Sequence, residues 1–257
     1  MPFLDTAGAR LHYRREGNAA KPCLVLSNSL GTDLSMWDAQ AEALAADYYV
    51  IRYDTRGHGE STIGAQPLDI ARLGQDVIAL LDHLGIARAA FCGLSLGGLT
   101  GQWLGVHAPQ RLTHLVLADT AACIGSTAGW QERAQQVRLE GLAGVADATP
   151  ARWFSPAFIE RETATVTRMI SRLREQDPAG YAACCDVLAH ADLRQEVARI
   201  AVPTLVVVGE YDPVTTVADG AWLQQQIPYA RLETVPASHI ANVEAHLEFT
   251  ALLRAFL

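Results

Sequence analysis

The chain has 257 residues, of which 50% are hydrophobic and 19% charged, and its formal net charge at pH 7 is -8. This length and balance fit one large globular α/β domain and exclude a disordered chain. The negative charge argues against nucleic acid and anionic membrane surfaces as partners, whereas homo-oligomer formation stays open.

The sequence also bears on the compartment. No apolar run approaches the ~20 residues of a transmembrane helix, and the N-terminal residues lack the apolar segment of a signal peptide. The five cysteines include no C-x-x-C pair for metal or redox chemistry. We therefore expect a cytoplasmic protein without a metal site.

Short apolar runs alternate with segments of helical spacing. An alternating stretch near residues 10–16 predicts an outer strand. Continuous apolar runs, typical of central parallel strands, occur at residues 23–27, 49–53, 89–92, 114–118 and 204–208. Helical spacing covers residues 36–46, 68–84 and 98–107. This alternation predicts a doubly wound sheet with right-handed crossovers.

The pattern changes between residues 121 and 191. This segment is rich in Arg, Glu and Ala, has helical spacing and contains no convincing strand. Strand–helix alternation resumes at Pro203 and ends with a strand at Arg231–Val235 and a C-terminal helix. We predict a core domain of residues 1–120 and 192–257, with residues 121–191 as a helical cap inserted after the sixth strand. Two independent domains are the alternative, and the continuing sheet pattern argues against them.

A candidate nucleophile lies between a predicted strand and a predicted helix. The residues Gly93-Leu94-Ser95-Leu96-Gly97 follow the apolar run 89–92 and lead into the helical segment. A G-x-S-x-G sequence in this context is typical of a nucleophile elbow, in which a tight turn holds the serine hydroxyl above the sheet. We predict that Ser95 is a nucleophile.

A serine hydroxyl needs a base, and the base needs an orienting acid. His239 follows the last predicted strand directly and is the predicted base, while His246 lies within the next helix. Asp212 follows the strand at 204–208 in a turn closed by proline and is the predicted acid. Asp119, at the end of the preceding strand, is the competing acid and equally fits a capping role.

The oxyanion hole of such a site needs two N–H donors. One is predicted at Leu96, the residue after the nucleophile. The other is predicted at Leu30, in the loop Ser27-Asn28-Ser29-Leu30-Gly31 that follows the apolar run 23–27. A simple strand-ending turn is the alternative interpretation of Asn28-Ser29.

These motifs together resemble the α/β-hydrolase superfamily. The residues that carry the likeness are Asp54-x-Arg56-Gly57-x-Gly59-x-Ser61, Gly93-x-Ser95-x-Gly97-Gly98, Gly209-x-x-Asp212 and Ser238-His239. Within the superfamily the chain is most similar to the 3-oxoadipate enol-lactonases, through Asn28-Ser29, the run to Trp37, and Trp153-Phe154. The resemblance implies the α/β-hydrolase fold, with a mostly parallel sheet of about eight strands.

The resemblance implies hydrolysis of an anionic enol-lactone in aromatic catabolism, through an acyl-enzyme and without any metal or organic cofactor. Trp130, Arg133 and Arg138, at the first cap helix, are the candidates for binding the substrate and its carboxylate. A solvated helix face is the alternative for these arginines. Another serine esterase, a carbon–carbon bond hydrolase, a perhydrolase and a non-catalytic binding protein remain as alternative functions.

Overall fold

The structure, a computed structural model, describes residues 2–6, 8–64 and 67–257. Eight strands form one sheet in the order β1-β2-β4-β3-β5-β6-β7-β8. The strands are β1 Phe3–Thr6, β2 Ala9–Glu16, β3 Cys23–Ser27, β4 Tyr49–Tyr53, β5 Ala89–Leu94, β6 Leu112–Ala118, β7 Thr204–Gly209 and β8 Arg231–Val235. The pairs β1–β2 and β2–β4 are antiparallel, and every other neighbouring pair is parallel.

Burial explains why the central strands read as continuous apolar runs. Every residue of β3, β5 and β7 is buried, because helices cover both faces of the sheet. The parallel strands end at a common edge, so the loops after β3, β5, β6, β7 and β8 lie close together there. Functional residues of open α/β sheets belong at this edge.

Twelve α-helices surround or cover the sheet in the described part of the chain. They are α1 Asp38–Leu44, α2 Ile70–His83, α3 Leu96–His107, α4 Thr127–Glu140, α5 Ala143–Ala148, α6 Pro150–Trp153, α7 Pro156–Arg161, α8 Thr163–Arg174, α9 Pro178–His190, α10 Val217–Gln226, α11 Ala241–Glu244 and α12 His246–Phe256. Short 3₁₀ turns cover Leu34–Trp37, Pro109–Arg111 and Val197–Arg199. No described helix has both the length and the apolar character needed to cross a membrane.

The predicted sheet is confirmed strand by strand, apart from β1. This edge strand has only four residues, includes Asp5 and Thr6, and shows no buried position in its burial pattern, so it gave no apolar signal. The first predicted helix is divided into the 3₁₀ turn Leu34–Trp37 and the helix α1. The 3₁₀ turn begins at Asp33, whose side chain accepts from the Ser35 N–H and caps it.

The chain between β6 and β7 forms the six helices α4 to α9, and its described residues include no strand. Within this region α4 packs mainly against α9. One contact with the rest of the protein is a close backbone approach, where a Cβ on Gly57 would lie 2.3 Å from Gly180 Cα. The division at residues 121 and 191 into core and cap stays a prediction, and "cap" is used below for α4 to α9.

Candidate active site

The turn between β5 and α3 holds Ser95 in a strained backbone conformation. Its φ of 58° and ψ of -112° are rare for a residue with a side chain. The turn is so tight that a Cβ on Gly93 would lie 2.0 Å from Gly97 O, and one on Gly97 would lie 2.4 Å from Ser27 O. Both glycines of the motif are therefore required by close backbone contacts.

Hydrogen bonds with the last residue of β6 and with Thr120, just after it, fix this turn. The Ser95 N–H donates to Ala118 O at 2.9 Å, and the Thr120 hydroxyl donates to Ser95 O at 2.8 Å. Thr120 also explains the third glycine, because a Cβ on Gly98 would lie 2.6 Å from Thr120 Cβ. Both the N–H and the carbonyl oxygen of the strained Ser95 are thus held by hydrogen bonds.

The structure brings Ser95, His239 and Asp212 together in one hydrogen-bonded chain. His239 Nε2 lies 3.0 Å from Ser95 Oγ, and His239 Nδ1 lies 2.8 Å from Asp212 Oδ2. All three residues are buried. With an ionised Asp212 accepting from Nδ1–H, the other ring nitrogen is free to accept the serine proton.

The surroundings of Asp212 favour its ionised form. Burial raises the pKa of this carboxyl, but the hydrogen bond and charge of His239 and further donors bring it below its ordinary value. Those donors are the Val214 N–H at 2.7 Å and the Thr215 hydroxyl at 2.8 Å. Thr215 was not among the predicted site residues, although an Asp followed three positions later by Thr is a usual turn pattern.

Asp119, the competing acid, lies in a different arrangement. Its Oδ1 accepts from the Gly209 N–H at 2.7 Å and its Oδ2 from the Ala241 N–H at 3.4 Å, and it forms no hydrogen bond with His239. Burial and the nearby charge of Asp212 raise the pKa of Asp119 well above its ordinary value. The geometry therefore favours Asp212 as the partner of His239, while Asp119 joins the β7 and β8 loops.

Two N–H groups beside Ser95 are free to bind an oxyanion. Neither the Leu30 N–H nor the Leu96 N–H donates to another group in the described part of the chain. Leu96 begins α3, so its N–H belongs to the unpaired first turn of that helix. The two loops are tied together, because the Gly97 N–H donates to Asn28 O at 3.0 Å.

A buried histidine fixes the loop that carries Leu30. His58 Nε2 accepts from the Gly31 N–H at 3.0 Å, while Nδ1 lies 3.1 Å from Arg56 O. Since Nδ1 faces a carbonyl and Nε2 faces a donor, the imidazole is neutral, with its proton on Nδ1. Burial lowers the pKa of His58, and the Arg56 carbonyl and three carboxylates offset this only in part.

A narrow pocket between core and cap opens onto Ser95 and His239. Cap residues in its lining include Trp130, Arg133, Arg152, Trp153 and Tyr181, and no carboxylate is among the described lining residues. Arg133 stacks over the Trp130 ring, with its guanidinium carbon 5.4 Å from the ring centroid.

Arg152 is the pocket residue that the sequence analysis missed. Neither Arg133 nor Arg152 forms an ion pair with any described residue. Partial burial and the charge of Arg133 lower the pKa of Arg152. The feature of the sequence that could have indicated Arg152 is its position directly before Trp153-Phe154. Two half-buried cations without an acidic partner are suited to bind an anionic ligand.

The structure does not bring Arg138 to the pocket. Its guanidinium forms an exposed ion pair with Asp186 on the outer side of the α4–α9 pair. Arg138 lies five residues beyond Arg133, which is about 140° further round the helix, so the two side chains point in different directions. Across residues 2–6, 8–64 and 67–257, no group of three His, Cys, Asp or Glu residues is arranged to hold a metal ion.

Comparisons with known proteins agree with this geometry. A family model described as alpha/beta hydrolase fold matches residues 22–245. 3-Oxoadipate enol-lactonase 2 of Acinetobacter baylyi is 48% identical over 99% of this chain and 97% of its own length. 3-Oxoadipate enol-lactonase 1 of that organism is 40% identical over 97% and 94%.

A solved structure is similar to this chain in both fold and sequence. The crystal structure of the enol-lactonase from Burkholderia xenovorans LB400 is 44% identical, covers 99% of both chains and superimposes with a TM-score of 0.97. The chain belongs to the α/β-hydrolase family, and within it to the 3-oxoadipate enol-lactonases. The predicted fold class is thereby confirmed. The roles of the individual site residues stay predictions.

The neutral His58 makes a testable contribution to the pH dependence of stability. An unfolded histidine takes up a proton below about pH 6.5, whereas the folded His58 resists it. The free energy of unfolding should therefore be fully retained above that pH and fall by up to about 1.4 kcal/mol per pH unit below it.

His58→Gln should make this slope shallower, as measured by urea unfolding at about pH 7.5 and pH 5.5. His246→Gln, at an exposed position, is the control and should keep the wild-type slope. Equal slopes for wild type and His58→Gln would contradict the neutral assignment.

Proposed function

We propose that this enzyme hydrolyses 3-oxoadipate enol-lactone to 3-oxoadipate in the β-ketoadipate pathway, with Ser95 as nucleophile. The observation that carries the proposal is the joint presence of the Ser95–His239–Asp212 chain and two unpaired arginines in one pocket. The first supplies acyl-transfer chemistry, and the second suits an anionic substrate. The identity to enol-lactonases over nearly the whole chain supports the choice of substrate.

In the first half-reaction His239 takes the proton of Ser95 as the hydroxyl oxygen attacks the lactone carbonyl carbon. The carbonyl oxygen becomes the tetrahedral oxyanion and is bound by the Leu30 and Leu96 N–H groups. By analogy with the oxyanion hole of a serine protease of another fold, each donor stabilises the transition state by about 3–4 kcal/mol. The imidazolium formed on His239 is stabilised by the ionised Asp212.

Collapse of the tetrahedral intermediate breaks the ring C–O bond. The leaving group is an enolate, which takes the proton from His239 and becomes a ketone while still attached through the acyl chain. Nothing dissociates at this stage, so the acyl-enzyme contains the whole lactone. Water activated by His239 then cleaves the ester and regenerates Ser95.

The carboxylate of the acetate arm is the group that distinguishes this lactone from a neutral one. Arg133 and Arg152 are the proposed partners of that carboxylate, with Trp130 and Trp153 against the apolar part of the substrate. Binding an anion also relieves the repulsion between two neighbouring guanidinium groups. Because the protein's net charge is -8, a local cationic site favours the binding of an anionic substrate.

The function and the triad are tested by one assay of lactone hydrolysis. The wild type should hydrolyse the enol-lactone far better than simple esters. Ser95→Ala, Asp212→Asn and His239→Ala should each lower kcat about 10⁴- to 10⁶-fold while circular dichroism shows an intact fold. If Asp212→Asn kept the wild-type rate while Asp119→Asn was inactive, the acid would be Asp119 instead.

The arginine pair is tested by neutralising each cation. Arg152→Met and Arg133→Met should each raise KM for the anionic lactone about 10- to 100-fold, as expected for the loss of a hydrogen bond to a charged group. Hydrolysis of a small neutral ester should change little.

Arg138→Met is the matched control, since it removes the same group outside the pocket and should leave both KM values unchanged. Unchanged lactone kinetics in Arg133→Met, Arg152→Met and the double variant would show that the carboxylate binds elsewhere.

A further inference from the structure

The backbone on both sides of His239 is held by groups outside its own loop. The Ser238 N–H donates to Glu244 Oε2 at 3.0 Å, and the Ile240 N–H donates to Trp153 O at 3.0 Å. The longer Ala241 N–H bond to Asp119 was described above. The backbone around His239 is therefore held by acceptors from the residue after β6, from α11 and from the cap.

Glu244 connects this loop to the cap through a second set of hydrogen bonds. Its Oε2 also accepts from the Ser155 N–H at 3.1 Å, and its Oε1 accepts from the Ser155 hydroxyl. Ser155 is the N-cap of α7. One carboxylate thus receives donors from the cap and from the residue that precedes His239.

The same cap segment lines the substrate pocket. Arg152 and Trp153 lie in the pocket wall, and Trp153 and Ser155 hold the His239 loop. A substrate in this pocket therefore contacts the same segment that holds the His239 loop.

We propose that Glu244 is a positioning residue that couples the cap segment 152–155 to the catalytic base. Movement of the segment when the substrate binds is transmitted through Ser155 and Glu244 to Ser238, and so to His239. The coupling rests on the proposed role of His239. It makes the activity of the base depend on the state of the cap, as in induced fit.

A conservative variant separates this role from the removal of a carboxylate in general. In Glu244→Gln the amide oxygen can accept both N–H groups at the place of Oε2, and the amide nitrogen can donate to Ser155 Oγ. The connections survive while the negative charge is lost. Glu244→Ala loses all of them. Glu248→Ala is the matched control, because Glu248 is exposed and lies four residues further along.

The readout is the rate at which a fluorophosphonate labels Ser95, together with kcat and KM for the lactone. Glu244→Ala should lower the labelling rate and kcat about 10- to 100-fold, because it removes the hydrogen bonds that hold the residue before His239, with a small change in KM. In Glu244→Gln the labelling rate and kcat should stay within about three-fold of the wild-type values. Glu248→Ala should have the wild-type values. Thermal unfolding checks that each variant is folded at the assay temperature.

The coupling itself is tested by a double-mutant cycle with Ser155→Ala. Ser155→Ala should lower the labelling rate less than Glu244→Ala, and the double variant should be no slower than Glu244→Ala alone. Should Glu244→Ala fail to fold, the reduced rate of Ser155→Ala at wild-type stability carries the test.

Three results would overturn the proposal: equal rates for folded Glu244→Ala and wild type, a Glu244→Gln as slow as Glu244→Ala, or additive effects of Ser155 and Glu244. Failure of the proposed function is separately visible. If the wild type is labelled at Ser95 but does not hydrolyse the lactone, the proposed substrate is wrong. The labelling rates of the variants would still measure the coupling.

Discussion

The strained turn at Ser95 is the constraint on which the site depends. A residue with a side chain held at φ 58° needs neighbours that leave the chain no alternative. Here the close packing of Gly93 and Gly97 and the hydrogen bonds at and just after the end of β6 supply that restraint. The turn aims the Ser95 hydroxyl at His239 and leaves the Leu96 N–H free. The proposed nucleophile and one proposed oxyanion donor are therefore placed by one local conformation.

Around this turn, the loops at the strand ends are joined by buried polar groups. Asp119 ties the β7 loop to the residues after His239, and His58 fixes the loop that carries Leu30. Glu244 adds the cap to this set of connections. Each of these groups accepts backbone N–H bonds, so its removal would leave buried donors unpaired. The cap contributes the cations, which sets a cationic pocket within an acidic protein.

The core was largely predictable from the sequence, and the cap pocket was not. Continuous apolar runs marked the central strands, and the glycine spacing around Ser95 marked the turn, because both patterns follow from local packing. Asp212 and His239 could be placed because parallel strands end at one edge. Arg152 and Glu244 escaped notice because their roles depend on how distant helices pack. Arg138 was proposed because helix register alone does not show which face meets the pocket.

The central claim is that Ser95, activated in this pocket, carries the hydrolysis of an anionic lactone. Stoichiometric labelling with a fluorophosphonate, followed by peptide mass mapping, tests it most directly. The account predicts one label per chain on Ser95, loss of lactone hydrolysis in proportion to labelling, and slower labelling when 3-oxoadipate occupies the pocket. A label on another residue, or full lactone hydrolysis by a completely labelled enzyme, would contradict the account.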